Sequence, residues 1–514
     1  MNVMLKLSGF ILLLWLGLST ALGAEVKSLI SWQPHNAASF AQAAKEKKFL
    51  ILNLEAVWCH WCHVMDAKTY ANEAVASYIK QHFIPMKADH DARPDLAERY
   101  REWGWPATIM YAANGTEIVK RAGFIAPEDM LNLLTTIVND PSVEGQQVAA
   151  PKRFSDSFKL AANVKKELIE RNVLSHDKQN GGLLIEQRYV DLDTIEWDLH
   201  LTEQGDKAAE IRVRRTLDAG VALIDPAFGG VYQYSTHSDW QHPHYEKIMR
   251  AQWANMRAYS LAAMMLKEKR YVQAGEKIGQ YLIDFLLFEE GAFYGSQDAD
   301  LTQGEKGHEY FALSRSERLK KGQPRIDKNL YSSSNGMAIE GLLLLYKASG
   351  KEVYYKHALD AMVWVLKNRR YADGGFRHNQ SDDAGPYLSD TLFMGRALLQ
   401  LYQTKGDKQA LILAAKAGTF MDIWFRFPQA GLVSAVDKAS PVKPIPQLDQ
   451  NIVAAQFMMD LYKQTGDKRH ADLAKHILRY LNTPEIALQR LTEAGILLAD
   501  VQRQKTLAVK TDKR

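Results

Sequence analysis

Trp58-Cys59-His60-Trp61-Cys62-His63-Val64-Met65 contains the only two cysteines in a chain of 514 residues, three positions apart. The apolar run Phe49-Leu50-Ile51-Leu52-Asn53-Leu54 precedes it, and a helical pattern follows. A strand that delivers Cys-x-x-Cys to the start of a helix is thioredoxin-like redox geometry. There Cys59 sits where helix amides and dipole stabilise a thiolate. Cys62 lies one turn on and can close a disulfide with it. His60 and His63 would add to the stabilisation, and Trp58 and Trp61 flank the pair.

Other chemistries share parts of this pattern. Cys59-His60-Trp61-Cys62-His63 also satisfies the c-type haem signature. Haem attachment leaves unexplained the strand before the motif and the elements after it. A zinc site from the two cysteines and one or both histidines lacks a second cysteine pair to complete a tetrahedral set. Two inert buried cysteines are the bland alternative. The redox reading implies no metal and no cofactor.

Outward from the motif, His35 to Lys48 reads as a helix and Phe49 to Ala56 as a buried strand. Two helices follow, Cys59 to Tyr70 and Asn72 to His82, or one broken near Ala71. Phe83 to Ala88 is a second strand and Arg93 to Glu102 a helix. Ala107–Ala112 and Thr116–Lys120 are strands around the Asn114-Gly115 turn, a strong hairpin signal. Pro127 to Val138 closes the unit, with proline at a helix start. The order β-α-β-α-β-β-α is that of a thioredoxin domain. Trp105-Pro106 stands just before the third strand, where that fold carries a cis-proline beside the disulfide. Pro106 is therefore a candidate site residue; an ordinary proline at a strand's start is the plainer reading.

Residues 1–24 read as a secretory signal, with Lys6, the apolar core Phe10 to Leu18, and small residues at Ala21-Leu22-Gly23-Ala24. The expected mature terminus is Ala24 or Glu25, and the expected location periplasmic or secreted. An uncleaved anchor is the alternative, but the run is short for a span. The composition is that of an ordinary globular protein, 46% apolar and 24% charged. A net charge of +4 on this length gives no signal for nucleic acid or membrane.

After a polar linker at 141–154 the pattern changes. Helix-length segments recur in pairs joined by tight turns at Gly205, Gly350, Gly406 and Gly466. Gly-Gly-aromatic or similar markers follow most pairs: Gly181-Gly182-Leu183, Gly229-Gly230-Val231, Gly291-Ala292-Phe293, Gly374-Gly375-Phe376 and Ala430-Gly431-Leu432. Such repetition signals a repeat architecture. One helix near 155–171, five hairpins near 191–224, 246–288, 333–369, 386–426 and 448–481, and a last helix near 491–503 make twelve. Twelve helices in six pairs form an (α/α)6 toroid over 155–503, with a polar tail at 504–514; an open solenoid is the alternative.

Short turns fall on one face of such a toroid and long connections on the other. The long connections carry His244, Glu246, Asp298, Asp300, Asn335 and Asp390, candidate substrate-binding residues at a toroid mouth. Glu246, Asp298 and Asp300 are expected within about 10 Å of one another, compatible with glycoside hydrolysis. Trp240, Tyr245 and Tyr294 are expected to line the same pocket. Helix capping is the competing account of Asp390.

Together these motifs resemble the thioredoxin-domain proteins of the spermatogenesis-associated protein 20 type and their bacterial relatives. The resemblance is carried by Cys59 to Met65, Phe83 to Asp89, Arg93-Pro94-Asp95 and Gly104-Trp105-Pro106. In the toroid it is carried by Pro243 to Met249, Gln297 to Asp300 and Asn335-Gly336. It implies a thioredoxin-like domain followed by a six-hairpin, glycosidase-like toroid. Three functions are consistent with the residues. The first is a thiol–disulfide oxidoreductase acting on a protein disulfide or redox partner. The second is a carbohydrate-active enzyme, a glycosidase or sugar epimerase, using the mouth acids. The third is a toroid that recognises a glycan or protein for the redox domain to act on.

Overall fold

The computed structural model describes residues 28–142, 153–382 and 384–507. The expected signal segment, most of the linker and the tail from 508 lie outside the described residues.

The first domain is built on β1 (Phe49–Glu55), whose residues Leu50 to Leu54 are all buried. A strand covered on both faces reads as an apolar run rather than an alternation. α1 (Ala37–Glu46), capped by Asn36, precedes it. After β1 come α2 (His60–Met65), running on into a π-helical turn over Asp66–Tyr70, and α3 (Glu73–His82), capped by Asn72. The helical run is thus broken next to Ala71. Then follow β2 (Phe83–Asp89), α4 (Pro94–Arg99), β3 (Ala107–Tyr111), β4 (Glu117–Ala122) and α5 (Pro127–Asn139). The sheet order is β2-β1-β3-β4, with β1 parallel to β2 and the other pairings antiparallel. Leu50, Leu52 and Leu54 face Phe40 and Leu96 on one side; Ile51 faces Met65, Ile79 and Leu134 on the other. The Trp105-Pro106 peptide is cis.

The second domain is an (α/α)6 toroid. Its helices are α6 (Ala162–Leu174), α7 (Leu192–Glu203), α8 (Lys207–Gly220), α9 (Met249–Leu266) and α10 (Lys269–Tyr281). A long excursion carries the short α11 (His308–Phe311) and α12 (Arg315–Lys321). The ring continues with α13 (Ser332–Ser349), α14 (Glu352–Asn368), α15 (Leu388–Lys405), α16 (Lys408–Phe425), α17 (Leu448–Thr465) and α18 (Lys468–Leu481). The short α19 (Pro484–Ala487) and then α20 (Ala494–Leu507) end it. The inner ring α7–α9–α13–α15–α17–α20 closes where α20 packs on α7, and α6 pairs with α20 as the outer partner. α6 begins later than expected, because Ser155 and Ser157 turn the preceding chain through hydroxyl–backbone hydrogen bonds.

The connectors follow one local rule. The fourth residue of an inner helix holds the backbone of the connector that crosses its start. Gln252 bonds both backbone groups of Val231, Asn335 both of Phe293, Asn451 both of Leu432, and the Thr391 hydroxyl accepts from Phe376. The residue held is the one after the small residue of each marker. At Gly230 a Cβ would stand 2.5 Å from the Tyr281 ring, so this close crossing requires glycine. The bore is filled by charge: Glu340 binds Arg257 at 2.8 Å and Arg396 at 2.7 Å, and Arg257 also pairs with Glu196.

The first domain sits on the mouth of the second. Arg250 binds Glu98 at 2.7 Å, Arg490 binds Glu102 at 3.0 Å, and Arg101 pairs with Asp449. His378 donates to the Asp91 carbonyl at 2.6 Å.

Candidate functional site at the domain interface

β1 ends beside the end of its parallel neighbour β2, and the chain turns there into α2. Cys59 caps α2, its Sγ accepting the Cys62 N–H at 3.1 Å. Cys59 and Cys62 are joined as a disulfide with Cα atoms 5.3 Å apart. They are 4% and 3% exposed, under Trp58, Trp105 and Ile248 of the toroid. Trp61 alone among the motif's aromatic residues reaches solvent, at 39% exposed. Pro106 is buried, and its carbonyl accepts the Gly123 N–H at 2.8 Å.

The toroid supplies the other half of the site through a small three-stranded sheet of β7 (Lys247–Ile248), β8 (Ser296–Gln297) and β9 (Ile326–Asp327). (β5, Tyr234–Ser235, and β6, Pro243–His244, form a separate ribbon.) Lys247 pairs with Gln297 in antiparallel register, so Glu246 and Asp298 fall opposite each other one step on. Asp300, two residues further, has its carboxylate within 4.8 Å of that of Asp298. Strand alternation sends Lys247 the other way, to Asp225 at 2.8 Å.

The acids meet the histidines of the redox motif. His60 Nδ1 is 2.8 Å from Asp300 Oδ1, and His63 Nδ1 is 3.1 Å from Asp300 Oδ2. His63 Nε2 lies 3.7 Å from Asp298 Oδ2. The Ala299 N–H donates to the Trp58 carbonyl at 3.3 Å. An ionised carboxylate only accepts hydrogen bonds, so both imidazoles donate to Asp300. Burial works against the Asp300 charge, but the two histidine bonds outweigh it and hold its carboxyl at about 2. Burial likewise opposes a charged His63, yet Asp300 and Asp298 raise its pKa overall. Burial pushes Asp298 up to about 6 and Glu246 to about 8; Asp298 and Asp300 add to the rise at Glu246. Glu246 Oε2 and Asp298 Oδ2 are buried without a hydrogen-bond partner. His244 stacks on Tyr234 and stands 3.9 Å from Glu246. The donor atoms of His63, Asp298 and Asp300 are also close enough together for a metal ion, although no metal was expected from the sequence.

Two candidates lie elsewhere. Asn335, expected at the substrate face, has its amide taken up by the Phe293 and Tyr331 backbone. Asp390 accepts from Ser333 N–H and from His378 at 2.9 Å each, which orients His378 towards Asp91. The aromatic lining also differs from expectation. Trp240 is buried in the toroid core with its indole bonded to the Asn180 carbonyl, and Tyr245 stacks flat on Phe311. Tyr294 packs against Phe288. The mouth acids come together, and the motif's histidines His60 and His63 cover Asp298 and Asp300.

Sequence reasoning quoted Asp89 for the resemblance but gave the run Asp89-His90-Asp91 no part in the site. Asp89 accepts the Val57 N–H at 3.0 Å, and burial with the Asp91 charge lifts it to about 7. Asp91 accepts from the Trp58 indole at 2.9 Å and from Ser296 of the toroid at 3.2 Å. The signal was present: parallel neighbours β1 and β2 end together, so polar residues after β2 must crowd the residues after β1.

Residues 15–140 match the family model of Thioredox_DsbH, described as a protein of unknown function, DUF255. The chain is 25% identical to human spermatogenesis-associated protein 20 over 307 residues, covering 53% of this chain and 39% of that protein. It is 25% identical to the uncharacterized protein B0495.5 of Caenorhabditis elegans over 305 residues, covering 53% and 41%. The match thus spans about two fifths of the length of these curated relatives. Among solved structures the chain is similar to a cellobiose 2-epimerase from Bacillus thermoamylovorans B4167, with 11% identity, TM-score 0.48, and 62% and 86% of the two chains covered. A D-mannose isomerase gives 11% identity, TM-score 0.49, and 67% and 98% covered.

Proposed function

We propose that this protein is a thiol–disulfide oxidoreductase whose Cys59–Cys62 pair exchanges two electrons with a cysteine-containing protein. The observation that carries the reading is the placement of Cys59 as the cap of α2, with its sulfur against the Cys62 amide. In the reducing direction the Cys59 thiolate attacks a substrate disulfide. A bond forms between Cys59 Sγ and one substrate sulfur, and the other sulfur leaves as a thiolate that takes up a proton. Cys62, as thiolate, then attacks Cys59 Sγ, the second substrate sulfur leaves, and the Cys59–Cys62 disulfide remains. Oxidation is the same sequence reversed. Because the pair is buried, exchange requires the Asp300 clamp on His60 and His63 to release, and the toroid thereby controls which partner reaches the sulfurs. The covered mouth argues against the carbohydrate-active reading. The segment at 1–24 supports export to a periplasmic or secreted setting, where disulfide chemistry is at home.

The test is trapping. Cys62→Ala should accumulate a mixed disulfide between Cys59 and a partner protein in the native compartment, and Cys59→Ala should not. Equal yields from both variants, or none from Cys62→Ala, would refute the reading.

A further inference from the structure

Beside the closed redox site the domains leave a cavity of about 960 Å³. One wall comes from the start of α1, the end of β2 and α4; the other comes from the connectors before α13, after α14 and after α16. The volume is that of a small-molecule site.

Its most unusual wall residue is Arg369. The side chain is 6% exposed, and it makes no ion pair with a carboxylate among the described residues. Its three hydrogen bonds, to the Leu330 and Asn368 carbonyls and the Asn379 amide oxygen, are all long, at 3.4 Å. The guanidinium lies against the Trp364 ring, 4.7 Å from its centroid. A buried cation held this way is short of a counter-charge. The same wall contains buried polar atoms without partners: His35 Nε2, Ser440 Oγ and Gln447 Nε2. Arg93 is neutralised within the wall by Asp95 through two bonds, at 2.7 and 2.8 Å. The other acids of the wall, Asp89 and Asp382, are shifted by burial towards their neutral forms. The lining therefore presents one buried guanidinium without an ion pair, the exposed ammonium groups of Lys328 and Lys438, and neutral groups that suit hydroxyls.

We propose that this cavity binds a small oxyanion carried on a hydroxylated carbon skeleton, a sugar acid or a sugar phosphate. Arg369 anchors the oxyanion, and His35, Ser440 and Gln447 meet the hydroxyls. A guanidinium fork takes carboxylate and phosphate alike, which leaves the choice between them to experiment. The site lies apart from the disulfide and does not depend on its chemistry.

The test is calorimetric titration of the full chain with D-glucuronate, D-glucose 6-phosphate, D-glucose and inorganic phosphate. At least one of the first two should bind, and which one identifies the oxyanion. Neutral glucose should not bind. Arg369→Gln should weaken binding roughly 10- to 100-fold, the loss of a charge-assisted pair. Without ligand this variant should melt no lower than the parent, because it removes an uncompensated buried charge. Should it fail to fold, Gln447→Ala supplies the second reading, with a several-fold loss of the acidic sugar. Absence of binding by both acidic sugars overturns the proposal, as does undiminished binding in the variants. Inorganic phosphate binding as tightly as glucose 6-phosphate overturns the hydroxyl contacts.

Discussion

His60 and Asp300, 240 residues apart in the chain, meet at 2.8 Å and fasten the redox motif to the toroid mouth. One carboxylate serves both motif histidines, so a single substitution releases both contacts.

Asp300→Ala should therefore open the site. Hydrogen bonds to charged groups contribute about 1.5–3 kcal/mol, so disulfide reduction by a fixed concentration of dithiol should accelerate roughly 10- to 100-fold. Timed alkylation read by mass measures it. An unchanged rate would show that the clamp does not limit access.

The same interface should loosen as pH rises from 5 to 9. Glu246 and Asp298 have pKa values of about 8 and 6, above their ordinary range. A carboxyl raised in this way disfavours the closed form once it ionises. His63, also raised, contributes fully below its ordinary value and loses that contribution as pH climbs through the raised one. All three act in one direction; Asp300, at about 2, stays charged throughout. Hydrogen exchange of α2 amides, corrected for intrinsic rates, should show protection falling over this range. Glu246→Gln should flatten its upper part, and protection rising with pH would contradict the assignment.

Asn335→Ala should cost about 2–5 kcal/mol of toroid stability, since it strands both buried backbone groups of Phe293. Denaturant unfolding gives the figure. A neutral effect on stability with lost ligand binding would restore Asn335 as a substrate contact.

Asp225→Ala should be similarly damaging. Lys247 and Arg318 are fully buried and both bind Asp225 at 2.8 Å. Removing the shared anion leaves two unpaired buried cations, a loss of about 3–5 kcal/mol. A thermal midpoint within a degree or two of the parent would refute this.

The fold was legible because its signals are local. The buried strand before Cys59, the Asn114-Gly115 turn and the glycine turns of the toroid each set their own geometry. The helix count worked because every hairpin ends in a tight turn. The site was half legible. Cysteine spacing identifies Cys59 and Cys62, and the mouth acids could be placed on one face by counting helices. That His60 and His63 would cover those acids was not readable, because docking of two domains leaves no period in either. Asn335 and Trp240 misled for a related reason: polar or aromatic residues near a mouth serve backbone and core as readily as ligand. The recurrence of Gln252, Asn335, Thr391 and Asn451 four residues into successive inner helices would have revealed the structural role of Asn335.

The ring closes only where α20 meets α7, and this sets a timetable during synthesis. The first domain is complete hundreds of residues before Ala494 is made. Until then the mouth has no final shape, and the disulfide pair is covered by Trp58 and Trp105 without the toroid's Ile248. A newborn chain therefore passes through an interval in which Cys59 and Cys62 lack the gate that later guards them. Nascent chains halted before Ala494 should take up a thiol reagent that the finished protein resists.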